Sequence, residues 1–169
     1  MDVRLNNEFW DYLTQTQRDL ILEGDYLNEE VLKKCKYCFK DYSYLVFPYA
    51  KAYEGFLKKI CYDVGFLSER DYLSDFLRLG KLLSPNLVGR LGNESLFKKI
   101  RDTVSKDMAD ELWMTWKEGR NQVFHYFPHN LKALTHEEAD EIIENMKQTM
   151  LDCFEALKGH MVERPDITA

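Results

Sequence analysis

Apolar residues three and four apart recur through every long segment of this 169-residue chain, and only four prolines and eight glycines interrupt them. That spacing puts the apolar side chains on one stripe of an α-helix and would scatter them across both faces of a strand, so it predicts an all-α fold. The stretch that organises the rest is 108–130, MADELWMTWKEGRNQVFHYFPHN. It reads as one long helix carrying Trp113 and Trp116, then Gly119, Arg120 and Asn121, then His125. Pro128 disfavours the helical conformation of the residue before it, so the helix is expected to fray near Phe127 with His125 in or beside its last turn.

The other expected helices follow from caps and breakers. A first one runs over about 5–23 with Gly24 as its stop. Asn28 caps a second that extends through Cys38, and 49–64 forms a third after Pro48. Gly65 ends it, and Ser68 opens a shorter helix carrying Tyr72, Leu73, Phe76, Leu77 and Leu79. Gly80 and Ser84-Pro85-Asn86 mark loops, and Asn93 caps a helix leading into the organising stretch. Thr135, with Glu138 three residues on, has the form of a capping box for a last helix to about Gly159, with Ile142, Ile143, Met146, Met150, Phe154 and Leu157 as its buried stripe. The expectation is a single domain over 1–169, a motif-bearing core at about 42–157 and a loose tail at 162–169.

Composition removes several classes of function. No apolar run reaches the roughly 18 to 20 residues a membrane helix needs, and the polar start lacks a signal peptide's features, so the expectation is a cytoplasmic protein with no membrane association. Cys35, Cys38, Cys61 and Cys153 are expected to be reduced thiols, because Cys35-x-x-Cys38 has no second ligand pair for a closed zinc site. His125 and His129 are four apart, but Pro128 interrupts the helix that would align them, so no metal and no cofactor is expected. Gly89 and Gly92 have neither a preceding strand nor the lysine and hydroxyl ending of a phosphate-binding loop. The net charge of -6 argues against nucleic-acid binding by bulk electrostatics, and any such contact must be local. The run Lys33, Lys34, Lys36 and Lys40 reads as a solvated helix face.

Two places carry candidate chemistry. On a helix over 49–64, Glu54 falls in the same arc as Phe47, Ala50, Leu57, Cys61 and Val64, and an acid on a buried face must hold a proton or meet a cation or several donors. An ion pair that only supports the fold is the simpler account of Glu54, and an acid that positions an active-site arginine is the other. Arg120 offers a permanently charged fork suited to phosphate, and His125 is the side-chain type that transfers protons near neutral pH. An ideal helix would separate them by roughly 140° around its axis, while Asn121 would share a face with His125. Arg120 and His125 therefore converge on one phosphate only at a frayed helix end or across two copies of the chain.

The run Arg120-Asn121-Gln122-Val123-Phe124-His125 resembles the motif of HEPN-domain ribonucleases, an arginine, a polar residue, three variable residues and a histidine near a helix end. The stretch 48–59, PYAKAYEGFLKK, looks like the matching helix of RNase LS-type toxins, whose HEPN-like domain carries an acid at the position of Glu54. The resemblance covers about 42–157 and implies a HEPN-like helical bundle with additional short helices. It implies a metal-independent endoribonuclease, the toxin of a toxin-antitoxin or anti-phage system, homodimeric and blocked by a protein antitoxin. Arg120, His125 and Glu54 would be its catalytic set, with Asn121, Lys51, Lys58 and Tyr126 supporting them or contacting RNA. RNase LS toxins carry further N-terminal domains, so the length implies a compact relative or an isolated catalytic domain. In the branch paired with a nucleotidyltransferase antitoxin a tyrosine stands two residues after the histidine; here Tyr126 follows His125 directly, which points away from that branch. Two further readings remain. One is a silent HEPN-type module that dimerises and binds a protein, with Glu54 and Arg120 as a structural pair. The other is a metal-binding bundle, disfavoured because paired Glu-x-x-His motifs are missing from the sequence.

Overall fold

The computed structural model describes residues 2–125 and 133–164, and among these it contains helices and helical turns and no strand. The fold is all-α, as the apolar periodicity predicts. Its axis is the helix α3, Ser43–Asp63, which buries Tyr49, Tyr53, Phe56, Leu57 and Ile60 on nearly every side. A helix apolar all round must be enclosed by neighbours. Here α2 (Gln15–Tyr26) and α9 (His136–Leu157) pack along it. Two shorter helices, α7 (Leu96–Thr103) and α8 (Lys106–Trp116), complete the enclosure, with α8 also lying against α9. The remaining helices are short: α1 (Asn7–Tyr12), and the single turns α4 (Glu69–Tyr72), α5 (Leu79–Leu82) and α6 (Val88–Leu91).

Local chemistry sets many of the boundaries. Thr135 accepts from the Glu138 N–H at 3.1 Å while the Glu138 carboxylate accepts from the Thr135 N–H at 2.8 Å, the reciprocal capping box expected at the start of α9. Ser68 opens α4 in the same way with Asp71, but that helix lasts one turn, and Leu73 and Phe76 stand exposed where a longer apolar stripe was expected. Ser95, rather than Asn93, caps α7, and Ser105 caps α8 after a break at Val104. The expected first helix is divided: Leu13 turns extended and is buried, and Thr14 restarts the chain as α2 with a capping box to Gln17.

Two differences have tertiary causes. Gly24 does not stop α2 but lies within it, because a Cβ there would meet the Tyr49 ring at 2.5 Å; the glycine lets α2 and α3 approach. Asn28 caps nothing. It lies in a π-helical turn, Leu27–Leu32, and its amide donates to Asp140 at 2.6 Å. The helix expected to reach Cys38 ends by residue 34, and the chain is then captured by 134: the Tyr42 N–H donates to the Leu134 carbonyl at 3.0 Å and the Leu134 N–H to the Asp41 carboxylate at 3.1 Å. α3 consequently begins at Ser43, with Pro48 inside it, and Phe47 on its first turns is exposed instead of buried. At the other end the Val162 N–H donates to the Asp63 carbonyl at 2.9 Å and the Arg164 guanidinium lies 5.1 Å from the Tyr62 ring centroid, so the start of the expected loose tail is docked. Residues 165–169 lie outside the described residues.

Candidate functional site

The organising stretch is not one uninterrupted α-helix. α8 ends at Trp116, and Lys117–Asn121 forms a π-helical turn in which the Gln122 N–H donates to the Lys117 carbonyl at 2.9 Å, a five-residue step. π-turns within helices recur at functional sites because they re-aim side chains. Packing against α9 accounts for this one: Gly119 is buried, and a Cβ there would fall 2.1 Å from the Met146 methyl and 3.2 Å from the Ile142 side chain. With Gly119 held on α9, Arg120 and Asn121 are turned towards a cleft on the other side.

Three contacts fix the end of α8. The buried Tyr53 hydroxyl donates to the Leu112 carbonyl at 3.0 Å, tying it to α3. The hydroxyls of Thr115 and Thr149 lie 3.0 Å apart and the Asn145 amide donates to Thr115 at 3.0 Å, tying it to α9. On this base Arg120 makes the contact the acid on α3 requires. Its Nε donates to Glu54 Oε2 at 2.9 Å, across 66 residues of sequence, and its guanidinium carbon lies 4.8 Å from the Trp116 ring centroid. Glu54 is largely but not wholly enclosed, with 25% of its side chain exposed, and Lys58 one turn on lies 3.8 Å from its other oxygen. Arg120 keeps 40% of its side chain exposed, so its charged head is open to a ligand while one nitrogen is held.

The cleft has a volume of about 490 Å³. Glu54, Arg120 and Asn121 line it together with Trp113 and Trp116 from α8. Arg78 and Lys81, at the start of and within α5, line it too. Neither was singled out in the sequence, where Arg78 fell at the end of the helix expected from Ser68 and Lys81 just after the loop signal at Gly80. α5 is pressed onto the indole of Trp116: a Cβ on Gly80 would meet Trp116 Nε1 at 2.5 Å. Three cations thus share the cleft with one carboxylate in a chain whose net charge is -6.

Other expected site residues lie elsewhere. His125 is exposed just past the turn at 122–124 and does not line the cleft; because the helical segment ends at Asn121, the four-residue alignment of Asn121 with His125 does not form. Phe124 packs edge-on to Phe47 with ring centroids 5.7 Å apart, which sets this segment over the start of α3. Lys51 reaches the same ring, its Nζ 5.7 Å from the Phe47 centroid, and lies outside the cleft. Lys58 stays on Glu54 and does not line the cleft either. Tyr126 and His129 lie outside the described residues. Cys35 and Cys38 are exposed, Cys61 and Cys153 are buried, and no group of residues suited to a metal is found among the described residues. Among those residues no helix is long and apolar enough to cross a membrane.

No curated protein and no solved structure matches this chain. A family model described as "RNase LS, bacterial toxin DBD domain" matches residues 5–127, a span that holds α1 to α8 and all of Glu54, Arg78, Lys81, Trp113, Arg120 and His125. The match covers most of the chain, and the chain belongs to the RNase LS bacterial toxin DBD domain family.

Proposed function

We propose that this toxin-family chain is a metal-independent endoribonuclease that works as a homodimer and is held in check by a protein antitoxin. The observation that carries the reading is the Glu54–Arg120 ion pair at the edge of a cationic cleft. A carboxylate that takes one guanidinium nitrogen and leaves the head exposed orients the remaining donors, and a fork of fixed direction suits a phosphate. Arg120 contacts the scissile phosphate and offsets the charge that grows on it; Glu54 positions Arg120; Asn121 adds an amide to the same cleft. His125 accepts the proton of the ribose 2′-hydroxyl as that oxygen attacks phosphorus or, as its conjugate acid, protonates the leaving 5′-oxygen, with water completing the other transfer. Since His125 of one chain is off the cleft, a second copy is the natural source of the histidine, which makes the dimer part of the chemistry. A HEPN-like bundle built from two copies has that symmetry.

The test is cleavage of RNA by purified protein in excess chelator. The expected products carry 2′,3′-cyclic phosphate or 3′-phosphate ends, and sedimentation at assay concentration reports a dimer. Activity that disappears with chelator and returns with a divalent ion refutes the mechanism. One observation favours a second reading: Arg120 is already paired and His125 does not line the cleft, as in a silent module that only dimerises and binds a protein. Protein that binds a partner but leaves RNA intact, at any concentration that dimerises, decides for the silent module.

A further inference from the structure

The cleft has more in it than one phosphate needs. Arg120 with Glu54 lines it, and so do Arg78 and Lys81, neither of which forms an ion pair among the described residues. Both are exposed, whereas Trp113, which also lines the cleft, is half-buried and packs against the core. A second pair of cations, an indole and a concavity of about 490 Å³ match one nucleotide, since ligand pockets run from roughly 300 to 1,000 Å³.

We propose that this cleft seats the nucleotide next to the scissile phosphate in single-stranded RNA, with its base on Trp113 and its own phosphate across Arg78 and Lys81. The identity of the polymer rests on the ribonuclease reading; the seat rests on the cleft. Stacking on an indole and neutralisation of phosphate are the two elements by which proteins hold single strands without reading sequence. A duplex keeps its bases stacked inside and presents a convex surface, which a cleft of this kind does not fit. An acidic peptide would meet the same cations but has no planar base for Trp113. The seat is also prearranged: Gly80 has no Cβ, so the backbone between Arg78 and Lys81 rests on the Trp116 indole that also carries Arg120. Both sets of cations are thereby fixed to one rigid ring. This local excess of positive charge is how a chain of net charge -6 can hold a polyanion.

The experiment measures binding apart from cleavage. A fluorescent 2′-O-methyl oligonucleotide, which has no hydroxyl to attack, is titrated against the full chain by anisotropy at several salt concentrations. Arg78→Ala/Lys81→Ala should weaken binding by about tenfold or more and flatten the dependence of log Kd on log salt by about 0.7, the share of one phosphate on a single strand. Trp113→Leu should weaken binding roughly five- to hundredfold with the salt slope unchanged. Trp113→Phe, which keeps a ring, should lie between Trp113→Leu and wild type, and melting curves establish that each variant is folded. Wild-type affinity and slope in the double variant overturn the seat, as does indifference to Trp113→Leu in a folded protein. Competition by polyglutamate equal to that by RNA, with no role for Trp113, assigns the cleft to an acidic protein partner and also overturns it. Cleavage of ordinary RNA is scored separately: a chain that binds as described but does not cut sinks the ribonuclease reading alone, and one that cuts while the variants bind normally sinks only the seat.

Discussion

Gly80→Ala tests how the cleft is built. In a helix an alanine is worth about 1 kcal/mol more than glycine, so on propensity alone the change should stabilise α5. The structure predicts the opposite sign. The new Cβ would stand 2.5 Å from Trp116 Nε1, 3.2 Å from Cε2 and 3.3 Å from Cδ1, three atoms of a rigid ring that is 5% exposed. Relief requires moving either α5 or the indole, and overpacking of this kind costs about 1 to 3 kcal/mol. Subtracting the propensity gain leaves a loss of about 0 to 2 kcal/mol, or up to about 8 °C in melting temperature for a chain of this size. Gly89→Ala is the matched control, because Gly89 also sits in a one-turn helix but its Cβ would meet nothing within 4 Å. That variant should be as stable as wild type or gain up to about 1 kcal/mol. Paired thermal melts, with binding of the 2′-O-methyl oligonucleotide measured on both proteins, read the outcome. Gly80→Ala should melt below Gly89→Ala and bind the oligonucleotide more weakly. Equal melting with equal binding refutes the claim that contact between α5 and Trp116 sets the cleft.

Glu54→Gln keeps the shape of the side chain and removes its charge; because the pair is partly exposed, the fold should lose no more than about 1 kcal/mol, while cleavage falls about tenfold or more as Arg120 loses its orientation. Normal cutting by a variant that melts far earlier makes Glu54 a structural residue. A thiol reagent at neutral pH should modify Cys35 and Cys38 quickly and leave Cys61 and Cys153 intact in the folded protein, since burial pushes the Cys61 thiol up to about 12 and raises Cys153 as well. Four equally reactive thiols would contradict the burial of the last two. At Asp41 burial raises the carboxyl pKa, but hydrogen bonds from the Ser43 hydroxyl, the Ser43 N–H and the Leu134 N–H outweigh it and hold the pKa below its ordinary value. Asp41 therefore stabilises the fold above its unfolded-state pKa, and that stabilisation is lost as pH falls through the lower folded-state value. Denaturant midpoints of wild type and Asp41→Asn should differ most near neutral pH and converge as pH falls through the lowered folded-state pKa of Asp41; a gap independent of pH refutes the role.

What the sequence made legible was local. The capping box at Thr135 and Glu138 needs only residues three apart, and the buried stripe of α9 follows from its period. Glu54 stood out as an acid on an apolar arc, which requires a cation but cannot say which, since Arg120 is 66 residues away. The glycines were the main source of error. Gly24 and Gly80 read as punctuation, and Gly119 gave no signal, yet each marks a close approach to Tyr49, Trp116 and Met146 respectively. Nothing in a glycine's sequence neighbours names the side chain it makes room for. Arg78 and Lys81 were missed for the same reason: they belong to a one-turn helix whose place is set by Trp116, not by any period of its own. Two cations flanking a glycine, Arg78 and Lys81 around Gly80, were the one signal the sequence offered. The expected alignment of Asn121 with His125 failed because packing of Gly119 on α9 replaced the ideal helix with a π-turn.

The central claim is that Arg120 and His125 act on one phosphate although one chain does not bring both to the cleft. Its most direct measurement is RNA cleavage by equimolar mixtures of Arg120→Ala and His125→Ala chains in excess chelator, after unfolding and refolding together so that subunits exchange. Each variant alone should be folded and cut at least a hundredfold more slowly than wild type, a loss of about 2.7 kcal/mol in transition-state stabilisation. If one chain's arginine works with its partner's histidine, the mixture contains dimers with one intact composite site, and activity should recover to a substantial fraction of wild type. Variants that cut at the wild-type rate, or inactive variants whose verified mixed dimers recover nothing, would contradict the account.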